Sequence, residues 1–515
     1  MLVTCYSLFH QKRFSRRSVV SENIVKITQV KKYFGGVKAL DGVDLVIKKG
    51  EIHCLAGENG CGKSTIINVI SGFYTPDAGT IEIDGKEYSK LNTQQAIEAG
   101  VQVIYQDLSV FPNLTVRENL AITMEKSNGA KFVSKKRFDE IAKRALATID
   151  FKVDLDEYVE NLTVADKQLI AISRALLNNA KLIIMDEPTT AITQKEVKNL
   201  FKVIRDLQSR GIAVLFVSHK LDEVFEIADQ FTIFRSGHNV YSGPTKDLTQ
   251  ALFTHYMTGR EIEETAFEYE EKKEAKTVLE VKNLSLKNGF KDCSFSIKQG
   301  EILGITGLLG SGRTELAETI FGIHKPDSGE IYLEGQKIEV KNVRDAMRMG
   351  IGYVPPERNV QGLFMTQSIS DNISVTRWKD HQKGFLMDEA SIDESVDHWV
   401  DELSIKIGSP FDNMRTLSGG NAQKCVLAKW LSLDLKVLLL NGPTVGVDIG
   451  AKYDIYTLTK SLAEKGLAVI IISDDIREVL MNCNRVLIMR QGHLVDERLT
   501  KDLDEQTLSA LSVEY

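Results

Sequence analysis

The sequence predicts an α/β protein made of two homologous halves, each built on a mostly parallel sheet. Three observations predict it: an internal repeat, short apolar runs alternating with helix-forming stretches, and a Gly-rich loop joining run to helix in each half. Pro76-Asp77-Ala78-Gly79 with Asp84-Gly85 recurs as Pro326-Asp327-Ser328-Gly329 with Glu334-Gly335, a shift of 250 residues. Arg235-Ser236-Gly237-His238 recurs as Arg490-Gln491-Gly492-His493, a shift of 255. Fixed-period similarity of this kind marks a duplicated unit.

Bulk properties agree. The chain has 515 residues, and single cores stop growing near ~250–300 residues, so more than one domain is required. At 43% hydrophobic and 26% charged, the composition is that of ordinary globular protein. The net charge of −7 argues against a nucleic-acid partner, which calls for a basic stripe. Six cysteines (Cys5, Cys54, Cys61, Cys293, Cys425 and Cys483) form no close CxxC pair, which reads as a reduced chain rather than a disulfide framework or zinc site. No stretch approaches the ~18 apolar residues of a membrane span.

Taken in order, residues 1–22 form an N-terminal extension. Lys12, Arg13, Arg16 and Arg17 without an acid among the first 21 residues have the flavour of an organelle presequence. A disordered extension, or a start codon placed too early, is the preferred reading. The first domain spans 23–260. It opens on an alternating strand, Ile24–Val30. Ile52–Ala56 then runs into the Gly-rich loop and a helix from Lys63, and Leu182–Met185 and Ala213–Val217 fit buried parallel strands. A charged linker, 261–277, follows. The second domain spans 278–515, with strands at Val278–Leu284, Val437–Leu440 and Leu467–Ile472.

Gly57-Glu58-Asn59-Gly60-Cys61-Gly62-Lys63-Ser64 matches G-x-x-x-x-G-K-S between a strand and a helix. Glycines let the backbone wrap round phosphate oxygens, and amide N–H groups and the helix N-terminus supply positive potential. Lys63 is placed for the β- and γ-phosphates and Ser64 for Mg²⁺, with Thr65 beside them. Leu182 to Met185 lead into Asp186-Glu187-Pro188, a buried strand ending in two acids. Asp186 is placed for Mg²⁺, and Glu187 is placed to polarise an attacking water.

With these motifs, nearly the whole chain resembles the ABC ATPase family. The resemblance implies two tandem P-loop NTPase cassettes that bind ATP and Mg²⁺, each with an antiparallel β subdomain and a helical subdomain. It implies further roles. Gln106, in Val103-Ile104-Tyr105-Gln106-Asp107, matches the loop that senses Mg²⁺ and water and meets the membrane partner. His219 matches the switch residue on the γ-phosphate, and Phe34 the aromatic that stacks on adenine. Leu417-Ser418-Gly419-Gly420-Asn421 is close to the family's Leu-Ser-Gly-Gly-Gln signature, which contacts ATP held by the opposite cassette. In the first half the signature reads Leu162-Thr163-Val164-Ala165-Asp166 and lacks the paired glycines.

The second half departs from the family elsewhere. Its phosphate loop, Gly307 to Thr314, carries Arg313 for lysine. Asn441-Gly442 stand for Asp186-Glu187, Asp474 for His219, and Pro356 for Gln106. One hydrolytic site and one degenerate site are therefore expected. Gly312-Arg313-Thr314-Glu315-Leu316-Ala317-Glu318, Glu357-Arg358 with Gly362-Leu363, and Leu417 to Lys424 resemble the tandem ATP-binding subunits of bacterial carbohydrate importers. That branch implies a subunit on the cytoplasmic face of the cell membrane, driving integral permease subunits fed by an extracytoplasmic solute-binding protein. Nucleoside importers share the tandem arrangement. Soluble tandem ABC proteins of the ribosome keep both hydrolytic sites, and a regulatory nucleotide-binding protein would lack a permease.

Overall fold

The computed structural model describes residues 22–127, 134–190, 192–218, 220–261, 275–384 and 386–513. Residues 1–21 of the expected extension and 262–274 of the charged linker lie outside these residues. The described chain divides into two compact units, the division falling between Gly259 and Arg260.

In the first unit, β1 (Asn23–Phe34) and β2 (Val37–Lys48) form a long antiparallel ribbon, with β3 (Ile52–Gly57) after them. The remaining strands are β4 (Ala78–Ile83), β5 (Lys86–Tyr88), β6 (Val101–Ile104), β7 (Leu182–Asp186), β8 (Ala213–Val217), β9 (Gln230–Arg235) and β10 (His238–Pro244). Two sheets result. One is antiparallel, in the order β2-β1-β4-β5. The other runs β10-β9-β3-β8-β7-β6, parallel except for the edge strand β10. β1 runs on past the expected Val30. A bulge between Ile27 and Val30, with Gln29 at φ 50°, breaks the alternation that marks a strand in sequence, although pairing continues.

β3 and β8 are apolar and buried along their whole length, as strands covered on both faces must be. One apolar cluster fills the space between the ribbon, the helix Lys63–Ile70 and one face of the parallel sheet. A second packs the helix Gln194–Ser209 against the other face through Val197, Leu200, Phe201 and Ile204. Thr193 starts that helix with a capping box closed by Glu196. A smaller cluster (Val116, Leu120, Ala142, Ala145, Ile170) holds the helices Val116–Ser127, Lys135–Ala147 and Val164–Leu177 together as the helical subdomain.

The second unit repeats the plan. β11 (Thr277–Leu286), β12 (Phe290–Lys298), β14 (Ser328–Leu333) and β15 (Gln336–Ile338) form the antiparallel sheet β12-β11-β14-β15. β13 (Ile302–Thr306), β16 (Ile351–Val354), β19 (Val437–Asn441), β20 (Ala468–Ile472), β21 (Arg485–Arg490) and β22 (His493–Leu499) form β16-β19-β20-β13-β21-β22, again parallel but for its last strand. A small hairpin, β17 (Gln382–Lys383) and β18 (Leu386–Met387), stands apart. Thr277, expected at the end of the linker, is already paired in β11 with Lys298. Three of the five residues by which the repeat drifts from 250 to 255 have a local cause, since Phe111 and Phe364 are already 253 apart. The short π-helix Arg358–Gly362, without a counterpart in the first unit, adds residues after Pro356.

Candidate functional site

In each unit the loop after the third strand meets the end of a parallel strand, β7 with its two acids in the first unit and β19 in the second, at the carboxyl ends of the parallel strands. That edge is where open α/β sheets bind ligands. In the first unit a cavity of about 600 Å³ opens there. Its size suits a small organic ligand, for which about 300–1,000 Å³ is typical. Asn59, Gly60, Gly62, Lys63, Ser64, Thr65, Gln106, Asp186 and Glu187 all line it.

Local chemistry explains how each arrives. Gly62, at φ 109°, caps the helix Lys63–Ile70, and a Cβ there would lie 2.5 Å from the Ala39 carbonyl oxygen. The loop is thus clasped between β2 and its own helix. Lys63 is buried, and its Nζ donates to the carbonyls of Gly57 at 2.6 Å and Glu58 at 2.9 Å. These bonds tie the Lys63 side chain back across its own loop. Gly57 and Cys61 do not line the cavity; they pack beneath the loop. A Cβ on Gly57 would meet Cys61 Sγ at 2.4 Å, and burial raises the Cys61 thiol pKa.

Asp186 ends β7 in register with Val217 of β8. Burial raises its carboxyl pKa above the ordinary value. Glu187 adds to the rise and Lys63 opposes it. Glu187 sits at φ 47°, a left-handed conformation costly for a residue with a Cβ, and is tied there by its N–H to the Val217 carbonyl at 3.1 Å. Non-glycine strain at a site edge is a mark of function. Pro188, next in the chain, accepts a hydrogen bond from the buried side chain of Gln168.

Other expected residues fall differently. Phe34 is 42% exposed at the end of β1, edge-on to Tyr74 with ring centroids 5.1 Å apart, and does not line the cavity. Val37, Lys38 and Ala39 line it instead, together with Ser236. Ser236 carried a signal, because it lies in a repeated segment. The β2 residues carried none beyond their nearness to Gly35-Gly36. Glu58 contributes a backbone carbonyl to Lys63 but no cavity wall. His219 lies outside the described residues. Its neighbour Ser218 donates to Glu223 Oε2 at 2.7 Å, and Thr189 donates to the same oxygen at 2.8 Å. Ser473, Thr444 and buried Glu478 repeat this junction in the second unit. Sequence reasoning missed it, because a lone Glu in a helix gives no sign of burial.

In the second unit Ser418 caps the helix Gly419–Leu431, accepting from the Asn421 N–H at 3.4 Å and from Asn421 Nδ2 at 3.0 Å. Packing also explains both glycines. A Cβ on Gly420 would lie 2.4 Å from the Ala451 Cβ, and one on Gly419 would lie 2.8 Å from an Arg358 Nη.

The comparisons with known proteins agree with this geometry. The ABC transporter family profile matches residues 40–190 and 290–445, one segment in each unit. The ribose import ATP-binding protein RbsA of Clostridium perfringens (strain SM101 / Type A) is 41% identical over 95% of this chain and 98% of its own length. The proteins of that name from Bacillus licheniformis and Bacillus subtilis (strain 168) are 39% and 36% identical, each over 95% of this chain and 99% of their own. With two matched segments, nearly full-length relatives and a phosphate loop facing paired acids in one cavity, the chain belongs to the ABC transporter family, as an ATP-binding and ATP-hydrolysing protein with two cassettes.

Proposed function

We propose that this chain is the ATPase subunit of an importer for a small sugar, associated peripherally with the cytoplasmic side of the membrane through integral permease subunits. An extracytoplasmic solute-binding protein delivers the cargo to the permease. The observation that carries the reading is the near-identical extent of the chain and ribose-import ATP-binding proteins at 41% identity. Among the described residues no helix is long and apolar enough to cross a membrane, which agrees with leaving the span to a partner.

We infer the site roles from the cavity. Ser64, Gln106 and Asp186 offer hydroxyl, amide and carboxylate oxygens to one cavity, the hard donors that Mg²⁺ accepts alongside phosphate. When bound there, Mg²⁺ supplies charge neutralisation for the β- and γ-phosphates. Lys63 exchanges its loop carbonyls for phosphate oxygens. The amides of Asn59 to Thr65 hold the phosphates, and Glu187 orients and polarises the attacking water. Phe34, half-exposed beside the cavity, is free to meet a purine ring. Ser418, Gly419, Gly420 and Asn421 form the nucleotide-contacting signature, and His219 the γ-phosphate switch.

The test is reconstitution of the chain with the permease and binding protein encoded beside it. Ribose is expected to stimulate ATP hydrolysis and to enter the vesicles. Stimulation by nucleosides and not by any sugar would overturn the cargo class.

A further inference from the structure

The second phosphate loop keeps the shape of the first but not its metal chemistry. Gly312 again caps the following helix at φ 93°, and Arg313 occupies the lysine position, buried, with Nη1 donating to the Gly307 carbonyl. At the end of β19, where Asp186 has its counterpart, stands Asn441, 4% exposed. Its Nδ2 donates to Thr314 Oγ1 at 3.3 Å and to the Tyr353 hydroxyl at 3.1 Å. Thr314 is the counterpart of Ser64.

The direction of this amide follows from its neighbours. Tyr353 O–H donates to Glu318 Oε1 at 3.4 Å, so the tyrosine oxygen must accept from Asn441. Asn441 therefore turns its N–H groups, not its oxygen, to the hydroxyl that a metal would need. One of the two lone pairs of Thr314 Oγ1 is engaged, and the Asp186 carboxylate has no counterpart at this position. Gly442 and Pro356 remove the remaining polar side chains, and a Cβ on Gly442 would lie 3.7 Å from the Pro356 Cβ. These residues do not fit Mg²⁺.

They do fit phosphate. The Thr314 proton is free to donate to a phosphate oxygen. Arg313 Nη2 lies 3.3 Å from Asp474, an exposed carboxylate on a surface segment. A guanidinium fork exchanges one set of planar oxygen acceptors for another readily.

We propose that the second phosphate loop binds nucleotide without Mg²⁺, with the Asn441 amide standing in the place of the Asp186 carboxylate, against Thr314. The site is a metal-independent holder of ATP, whatever cargo the complex carries. The proposal rests on the family's nucleotide binding and not on the sugar reading.

Equilibrium dialysis of the full chain with labelled ATP tests it, with and without EDTA. The parent must first bind ATP with Mg²⁺ present; if it does not, the nucleotide-binding reading itself fails. In the Lys63→Ala chain, ATP is expected to remain bound in EDTA, with Mg²⁺ changing its affinity by less than about twofold. Adding Arg313→Ala should abolish this binding. Adding Asn441→Asp instead should make it Mg²⁺-dependent by about tenfold or more, and an ATP-dependent Mn²⁺ signal should appear by electron paramagnetic resonance. A tenfold gain from Mg²⁺ in Lys63→Ala alone would overturn the proposal. So would Mn²⁺ bound with ATP in that chain, or no bound ATP although its melting curve matches the parent's.

Discussion

Glu187 and Gly442 hold the same place at the ends of equivalent strands, both left-handed, at φ 47° and 57°. Only one carries a carboxylate. Glu187→Gln keeps the shape and the backbone bond to Val217, so hydrolysis should fall about 100-fold or more while the melting temperature stays put. A parent-like turnover in this variant would remove Glu187 from the mechanism. Gly442→Glu should restore no hydrolysis, because Asn441 and Pro356 beside it are unchanged. It should also cost about 1–2 kcal/mol in denaturant unfolding, the penalty of a Cβ in the left-handed region. Lys429 gives a pH-dependent prediction. Burial lowers its ammonium to about 8, while its Nζ donates to the Gly362 carbonyl at 2.6 Å. Between that value and its ordinary 10.5 the native state binds fewer protons than the unfolded one, so this group makes stability rise with pH across that window. Unfolding free energies at pH 7.5 and 9.5 should show a rise of roughly 1–2 kcal/mol in the parent that Lys429→Met lacks.

At the scale of elements, both units bind the loop after their Gln106 or Pro356 position with one buried asparagine. Asn119 accepts from the Phe111 N–H at 2.8 Å and donates to the Phe111 carbonyl at 2.9 Å. Asn372 does the same with Phe364, at 2.7 and 3.1 Å. Both are fully buried, which is unusual for asparagine and sustainable only because the donors and acceptors are matched. Asn119→Ala should destabilise the first unit by about 1–3 kcal/mol, the cost of stranding those loop groups. It should also loosen the segment that carries Gln106. Hydrogen exchange at Phe111 unchanged from the parent would rule this out. Neither asparagine stands out in sequence, since each reads as a polar residue in a polar-apolar helix.

For the molecule as a whole, the proposed attachment through permease subunits makes membrane association conditional on that partner. The chain expressed alone should remain in the supernatant after ultracentrifugation. Co-expressed with its permease, it should sediment with the membranes. Tight sedimentation of the lone chain would contradict attachment through a partner. The five described cysteines, Cys54, Cys61, Cys293, Cys425 and Cys483, are free and buried.

The duplicated plan, the parallel sheets and most of the cavity wall were legible in the sequence because they rest on local patterns. Apolar runs such as Ala213–Val217 are strands wherever they are buried on both faces, and G-x-x-x-x-G-K-S wraps phosphate through its own backbone. The folded chain decided what depends on neighbours distant in sequence. It moved the cavity wall from Phe34 to Val37, Lys38 and Ala39, because β2 passes over the phosphate loop. It gave the paired signature glycines a packing reason in Ala451 and Arg358. It also turned the Asn441 substitution from a missing acid into an amide pointed at Thr314, since only packing against Tyr353 and Glu318 sets the direction of a hydrogen bond.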